Sequence, residues 1–486
     1  MPRWKPQVAL AGWLWLALWP IGLSAQCTSW ERNSEAGEKA LQEGRYDEAE
    51  LIYWDAVQEA EKFGPNDERL AISLNDLAHV YETQGKYAES EPLYKRALGI
   101  WEKSEHPTSQ CATATLNNFG ALLFSLGRYA EAEPLYKRSL AIDEKAPSEE
   151  HRDMTGSLNN LAVIYQEQAR YSEAEPLLKR ALEIREKDSG PEHPRVAVAL
   201  GSLASLYRRQ GTIEEAEKLE KRAIAIRKKA QGAEHPELAI SLNNLGLGYF
   251  KQGKFEDAEK LYKRALAINQ KSLGPEHLGT ATNLSNLGQL YAAQKKHAEA
   301  ESFYKQALAI REKALGPEHP EVALTLNNLG VMYYYREMYS QAESYLKRAL
   351  AISIKTLGWG HPEVQNRIYS LAATYQAQGK NAEAEGLFSS ALEAAEKAED
   401  PRLIASSANR LASFYEGHKK SAEADDAYQR SLIILDQTGH ESPELATFLE
   451  SYARHLRANN REGEATDMEA RAQAIRAKQA PQNSPQ

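Results

Sequence analysis

Residues 158–184 decide the fold, and they read LNNLAVIYQEQARYSEAEPLLKRALEI. Two short motifs of this stretch return along the chain: Leu-Asn-Asn at residues 158–160 and Glu-Ala-Glu at residues 173–175. The alanine of the second motif recurs every 42 residues, at Ala132, Ala174, Ala216, Ala258, Ala300, Ala342 and Ala384. A fixed period of this length predicts one solenoid of stacked units rather than a set of independent domains.

The same marker continues toward both ends with a slightly altered spacing, at Ala49, Ser90, Ala424 and Ala465. The sequence therefore predicts eleven units within a repeat region that covers residues 26–478. Their expected limits are near 30–64, 65–104, 105–146, 147–188, 189–230, 231–272, 273–314, 315–356, 357–398, 399–438 and 439–478. The polar tail at residues 479–486 is expected to be disordered.

Each unit is predicted to be a pair of helices, as residues 193–232 illustrate. Pro194 suits a first helical turn, where its missing N–H costs nothing. Apolar residues follow at helical spacing up to Tyr207, and Gly211 then allows a tight turn before a second apolar face. One pair has too little partner surface of its own, so stability is expected to come from stacking on neighbouring pairs.

This pattern resembles the tetratricopeptide repeat, in the longer variant found in kinesin light chains and many bacterial proteins. The resemblance covers about residues 30–475, and it weakens at the ends, as expected of capping repeats. It implies an all-α, right-handed superhelical solenoid of about eleven antiparallel helix pairs. The residues that carry it in one unit are Leu161, Ala162, Tyr165, Tyr171, Ala174 and Ala181.

Composition excludes several classes of function. The 486 residues carry 59 Lys and Arg against 68 Asp and Glu, a net charge of −9, which argues against sequence-independent nucleic-acid binding. Two cysteines, Cys27 and Cys111, are too few for a four-cysteine metal site. No catalytic residue, metal site or cofactor is predicted, because no nucleophile motif occurs and the repeats leave no room for a catalytic domain.

The N-terminus is predicted to be a secretory signal peptide covering residues 1–25. Arg3 and Lys5 precede an apolar stretch at residues 8–23, and cleavage is expected after Ala25. The mature chain would then be periplasmic or secreted. Alternatives are an uncleaved membrane anchor and lipid modification of Cys27, and a disulfide between Cys27 and Cys111 is a further option in an oxidising compartment.

The resemblance implies that the first helix of each unit lines a concave, peptide-binding groove. The family's recurrent groove asparagine corresponds here to Asn118, Asn160, Asn244, Asn286 and Asn328. A carboxamide both donates and accepts hydrogen bonds, so it can pair with a peptide backbone of any sequence. The alternative is that these amides bind neighbouring helices or cap backbone groups. The preceding Asn117, Asn159, Asn243 and Asn327 are expected to be structural.

Selectivity is expected from variable residues beside the asparagines in the middle of the array. These positions predict a peptide partner that carries both acidic and apolar residues, through charge-assisted hydrogen bonds and apolar pockets. The alternative places the aromatic side chains in the core and the cations in solvent. The residues concerned are Arg208, Arg209, Leu247, Phe250, Lys251, Val331, Tyr334 and Tyr335.

Two further patterns are interpreted as structural. The Lys-Arg pairs of the second helices follow a glutamate four residues before each lysine, which stabilises a helix by about 0.2–0.5 kcal/mol per pair and compensates the charge. Eight histidines fall in the linkers between units, too far apart to share a metal ion. They are His106, His151, His193, His235, His277, His319, His361 and His440.

The sequence thus predicts a non-enzymatic scaffold that docks a partner peptide or segment in its groove. Analogy with the family suggests an envelope assembly or secretion adaptor. One alternative is a structural protein that self-associates through its terminal repeats. Another is a cytoplasmic adaptor similar to a kinesin light chain, if residues 1–25 are retained.

Overall fold

A computed structural model describes residues 29–145, 154–439 and 441–479. In this part of the chain the secondary structure is entirely α-helical, and the 22 helices confirm the predicted all-α solenoid of paired helices. The signal peptide, Cys27, His151, His440 and all but the first residue of the tail lie outside the described residues. The helices are α1 (Ser29–Gln42), α2 (Tyr46–Glu61), α3 (Glu68–Thr83), α4 (Tyr87–Trp101), α5 (Gln110–Ser125), α6 (Tyr129–Asp143), α7 (Met154–Glu167), α8 (Tyr171–Ser189), α9 (Pro194–Gln210), α10 (Ile213–Gln231), α11 (Pro236–Lys251), α12 (Phe255–Ser272), α13 (Leu278–Ala293), α14 (His297–Leu315), α15 (Pro320–Tyr335), α16 (Tyr339–Leu357), α17 (Pro362–Ala377), α18 (Asn381–Lys397), α19 (Pro401–Gly417), α20 (Ser421–Thr438), α21 (Pro443–Ala458) and α22 (Glu462–Gln479).

The chain divides into two compact units, residues 1–319 and 320–486. Within each unit every odd-numbered helix packs against the even-numbered helix that follows it. Odd-numbered helices also contact one another: α3, α5, α7, α9, α11 and α13 in sequence in the first unit, and α15 with α17 and α19 with α21 in the second. The even-numbered helices of the described part make no comparable contacts with one another. In a curved two-layer array the closer layer lies inside, so the odd-numbered helices form the inner face of each unit.

Inside a pair, a small residue of the first helix lies under a large residue of the second. A Cβ added at Gly246 would lie 2.7 Å from the Tyr262 ring, and the same distance separates a Cβ at Gly288 from the Tyr304 ring. The equivalent positions of α7 and α8 hold Ala162 and Leu178, both fully buried. At Gly246 and Gly288 the missing Cβ leaves this space to the ring, although glycine costs a helix about 1 kcal/mol relative to alanine.

Successive pairs are joined by the glutamate that directly follows the alanine of the Glu-Ala-Glu motif. Glu133 on α6 is bound by Lys137 of its own helix at 2.6 Å and by two groups of the next pair. The Arg170 guanidinium lies 2.9 Å away, and the Tyr165 hydroxyl donates across 3.4 Å. Tyr207, Tyr249 and Tyr291 donate to the equivalent glutamates of the pairs before them. We call these side chains the hub glutamates: Glu91, Glu133, Glu175, Glu217, Glu259 and Glu343.

The contacts of the hub glutamates explain why a glutamate followed four residues later by a lysine recurs in the second helices. The predicted glutamate–lysine pairs form on the second helices, but each hub also holds the next repeat in place. Hydrogen bonds from Lys347 and Lys380 lower the pKa of Glu343 to about 2. Since that pKa lies below the ordinary 4.5, the contribution of Glu343 to stability is present above pH 4.5 and is lost as the pH falls toward about 2.

Four of the linker histidines cap helices. The Nδ1 atoms of His193, His235, His277 and His361 accept hydrogen bonds, at 3.0 to 3.3 Å, from the backbone N–H two residues further on. Such a cap supplies an acceptor to the otherwise unpaired N–H groups of a first turn. No group of three or more His, Cys, Asp or Glu side chains in the described ranges could hold a metal ion. Nor does any helix there combine the length and apolar character needed to cross a bilayer.

Protonation of a capping histidine removes its acceptor, so mild acid should weaken the array. Burial lowers the pKa of His277 below its ordinary 6.5, which means that folding favours the neutral ring. Stability contributed by this cap is therefore complete above pH 6.5 and declines as the pH falls below it. We expect His277→Asn, whose acceptor does not titrate, to flatten the decline of the urea midpoint between neutral pH and about pH 5, a loss of about 1 kcal/mol per cap. An equally steep decline in the variant would contradict this role.

The space under Tyr262 predicts an unusual result for a helix-favouring substitution. Gly246→Ala places its Cβ against the buried ring of Tyr262. We therefore expect the free energy of unfolding to fall by about 1–3 kcal/mol, despite the better helix propensity of alanine. Adding Tyr262→Leu recreates the alanine–leucine combination of Ala162 and Leu178 and should recover most of the loss. Urea unfolding of the two variants measures both effects. A higher midpoint for Gly246→Ala alone would show that the close contact imposes no constraint.

Candidate peptide-binding surface

The predicted groove asparagines all lie on odd-numbered helices, and all are half-buried. Asn118, Asn160, Asn244 and Asn286 belong to the inner face of the first unit, and Asn328 belongs to that of the second. The Asn118 amide donates to Asn75 Oδ1 of the preceding repeat across 3.1 Å. This amide therefore links neighbouring helices in the structure. Asn244 also has a partner within the chain, since its hydrogen bond is one of the contacts that oppose the raised pKa of Glu220. All five asparagines keep some exposed area that a partner could contact.

The first asparagine of each pair holds an unpaired acceptor. The Oδ1 atoms of Asn117, Asn159, Asn243 and Asn327 are buried and receive no hydrogen bond from the described residues. A buried polar atom without a partner costs roughly 1–3 kcal/mol. A donor from outside the chain, either water or a partner amide, would gain most at these positions. Their place in the sequence predicts a structural role, and nothing in the pattern indicates the unpaired oxygens.

Arg208 does not lie where the sequence analysis placed it. Its side chain is only 4% exposed, and its Nη1 donates to Glu220 Oε1 across 2.9 Å, so its charge is not presented to a peptide. Burial raises the pKa of Glu220, although the charge and the hydrogen bond of Arg208 oppose that shift. The reason is local: Glu220 occupies the place that Tyr262 takes in the next pair, and Arg208 occupies that of Phe250.

The other two predicted cations differ from each other. Arg209 is half-buried and pairs with Glu167 of the preceding repeat. Lys251 is exposed and has no ion-pair partner among the described residues. Partial burial, together with the charges of Arg208 and Arg209, lowers the pKa of Lys251. An incoming carboxylate would relieve this crowding of positive charge, so Lys251 is the cation of this set that can bind an acidic side chain.

The predicted aromatic residues are partly accessible. Phe250 is half-buried, with its ring centroid 5.8 Å from that of Phe255. In the second unit the Tyr334 centroid lies 5.5 Å from that of Tyr335 and 5.8 Å from that of Tyr339. Tyr335 is 50% exposed, which makes it the most accessible of the predicted aromatic contacts. The remaining two predicted residues, Leu247 and Val331, are half-buried on the same inner helices.

Together these side chains give the inner faces a definite chemistry. They offer the recurring asparagine amides, the exposed ammonium group of Lys251, and partly exposed aromatic and aliphatic side chains. Such a surface can bind a polypeptide segment through backbone hydrogen bonds and apolar contacts. Carboxylates in the segment would be favoured near Lys251.

Comparison with known proteins identifies the repeat. The family model described as tetratricopeptide repeat matches residues 34–103, 110–187, 153–229, 197–270, 237–313, 285–355 and 364–437, together well over half of the chain. A comparison with curated proteins finds no match.

Several solved structures are similar over part of the chain. Nearly identical repeats of a putative kinesin light chain from Podosopora anserina share 30% identity over 42% of this chain and 97% of theirs, with a TM-score of 0.36. BtubC (BKLC) from P. vanneervenii shares 25% identity over 48% of this chain and 91% of its own, with a TM-score of 0.38. A Rap protein complexed with competence and sporulation factor shares 14% identity over 76% of this chain and 98% of its own, with a TM-score of 0.48. The repeat match, rather than these partial overlaps, identifies the family.

The buried pair of Arg208 and Glu220 yields a test of its structural role. Glu220→Gln leaves a buried guanidinium without its counter-charge, and we expect a loss of about 3–5 kcal/mol in the free energy of unfolding. The triple change Ala204→Gly, Arg208→Phe and Glu220→Tyr recreates the combination of Gly246, Phe250 and Tyr262. We expect it to be at least as stable as the parent chain in urea unfolding. If the triple variant were as unstable as Glu220→Gln, an aromatic pair could not replace the buried ion pair, and the structural interchangeability of the two would be wrong.

Proposed function

The chain belongs to the tetratricopeptide repeat family, and from this premise we propose that it is a non-enzymatic scaffold that docks a peptide or segment of a partner protein. Proteins of this family bind protein partners. The observation that carries the proposal is the direct packing of the odd-numbered helices from α3 to α13 and of α15 with α17, which makes an inner face in each unit. Asparagine recurs at the same position of α5, α7, α11, α13 and α15 on these faces.

Binding on such a surface is geometric. The helices are held by their neighbours before the partner arrives, so little conformational entropy is lost on the scaffold side. Asparagine amides contribute hydrogen bonds that do not depend on the partner's side chains. Selectivity then comes from the variable positions: Lys251 favours an acidic residue, and the partly exposed rings of Phe250, Tyr334 and Tyr335 favour apolar residues. Arg208 has no part in this recognition, because its charge is committed to Glu220.

The proposed setting is the cell envelope or the exterior, where the chain would serve as an assembly or secretion adaptor. This rests on the basic and apolar character of residues 1–25 and on the small residues before Gln26. Sequencing the N-terminus of the native protein tests it. Gln26 as the first residue would support export, an intact Met1 would contradict cleavage, and a lipid on Cys27 would indicate a membrane-anchored form.

Capture of partners from an envelope extract tests the inner face. The bait is residues 26–486, and a second bait carries Asn160→Ala, Asn244→Ala and Asn328→Ala. We expect the second bait to lose most of its partner, because removing several hydrogen-bonding contacts of about 0.5–1.5 kcal/mol each multiplies the effect.

A matched control separates binding from stability. Lys137→Ala, Lys221→Ala and Lys347→Ala change three exposed side chains of even-numbered helices and should leave capture intact. Circular dichroism must show equal helicity for all baits. A partner retained equally by the asparagine variant and the parent would move the binding site away from the inner face.

A further inference from the structure

The first helix pair carries an apolar patch on its outer surface. Leu51 and Trp54 lie one turn apart on α2 and are 70% and 49% exposed. They belong to the even-numbered layer, so the patch is separate from the inner face. In the next seven repeats the position of Trp54 holds a solvated lysine instead: Lys95, Lys137, Lys179, Lys221, Lys263, Lys305 and Lys347. A large exposed side chain in place of a lysine indicates a contact surface rather than a packing requirement.

The helix pair that carries this patch is acidic. Residues 29–63 contain ten Asp and Glu side chains against four Lys and Arg. Asp55 takes the position that holds an arginine after the lysine in six of the next seven repeats, and it has no ion-pair partner within the described ranges. Arg45 is already held by Glu43 and Glu48, and Lys62 is held by Glu59. From the next repeat, Lys86 binds Glu50 and Arg96 binds Glu61, so two further acidic charges of α2 are compensated. Asp47 accepts a hydrogen bond from Gln84 but, like Asp55, forms no ion pair within the described residues. The surface around Leu51 and Trp54 therefore keeps a net negative charge.

We propose that this apolar–acidic face, defined by Asp47, Leu51, Trp54 and Asp55, binds a basic segment of a partner protein that also carries apolar side chains. Trp54 would be the anchor, because a half-exposed indole gains much from being covered and loses little side-chain entropy. Asp47 and Asp55 would attract and orient the basic residues.

Charge selects this occupant over the alternatives. A second copy of the chain meeting the same face about a two-fold axis would bring acidic residues against acidic residues. An anionic lipid surface would be repelled in the same way. The chain's own residues 1–23 combine Arg3 and Lys5 with an apolar stretch and so have suitable chemistry, but we propose that they are removed on export.

The test uses fluorescence anisotropy with labelled amphipathic peptides. The probe consists of Leu and Lys with the leucines on one helical face; one control peptide replaces Lys with Glu, and another replaces Leu with Ser. Each is titrated with the full chain and with residues 26–486. We expect saturable binding of the Leu–Lys peptide, with affinity at least about tenfold higher than that of either control, because both charge and apolar contact contribute.

Variants locate the binding to the patch. Leu51→Lys with Trp54→Lys installs the residues that Lys218 and Lys221 provide in the fifth repeat, so α2 should stay folded. We expect the affinity for the Leu–Lys peptide to fall at least about tenfold. The matched control is Gly386→Lys with Ser389→Lys, the equivalent positions of the ninth repeat, which adds the same number of positive charges. A Cβ at Gly386 meets no atom within 4 Å, and this control should bind as the parent does.

Four results would overturn the proposal. If both double variants lowered the affinity for the Leu–Lys peptide equally, the loss would be explained by net charge alone. If Leu51→Lys/Trp54→Lys left that affinity unchanged, the peptide would bind elsewhere on the chain. A parent dimer that this variant converts to a monomer in sedimentation would identify a second copy as the occupant. Binding to residues 26–486 but not to the full chain would identify the N-terminal segment. Failure of the inner-face capture experiment would leave this proposal intact, since the two surfaces share no residue.

Discussion

Contact between successive helix pairs is the constraint on which the rest of this structure depends. A single pair buries one apolar face and cannot be stable alone, because the contacts within it stabilise it by less than the conformational entropy lost on ordering its residues. The hub glutamates show how neighbouring pairs are fixed in orientation as well as in distance. Glu133 binds its own helix through Lys137 and the next pair through Tyr165 and Arg170. Repeating this contact keeps the odd-numbered helices in one layer, and that layer is the proposed binding surface.

The fifth repeat shows that the pattern tolerates a polar exception in its core. Arg208 and Glu220 replace the aromatic pair found in the next repeat. Arg208 donates to Glu220 Oε1, while Glu220 Oε2 has no hydrogen-bond partner in the described part. A buried ion pair of this kind contributes little net stability but is costly to break. Its consequence for the surface is indirect: the buried guanidinium charge beneath Lys251 helps to lower the pKa of that lysine. A buried ion pair that does not contact the proposed partner thus influences the pKa of a lysine on the inner face.

The fold was predictable because a 42-residue period fixes the repeat, and the repeat fixes the helix pair. The inner location of the asparagines followed from their place in the first helix. What the sequence could not show was which side chains would be neutralised by others. Arg208 and Lys251 are both cations near the end of a first helix, so the sequence does not distinguish them. In the structure Glu220, on the other helix of the pair, neutralises Arg208 and leaves Lys251 exposed. Aligning the repeats shows Glu220 at a position that otherwise holds tyrosine, phenylalanine or leucine, and Trp54 at a position that holds lysine in the next seven repeats. The second partner of each hub glutamate and the capping role of the histidines depend on distances between helices, which spacing alone does not give.

Hydrogen exchange measured by mass spectrometry on Glu133→Gln tests the central claim most directly. If the hub couples neighbouring repeats, exchange should accelerate in α6 and also in α7 and the turn at Arg170, while distant helices of the same unit such as α13 keep their protection. Lys137→Ala, which removes only the partner on the same helix, should leave α7 protected. Faster exchange confined to α6 in Glu133→Gln would show that the glutamate merely supports its own helix, and it would contradict the account of how this array is held together.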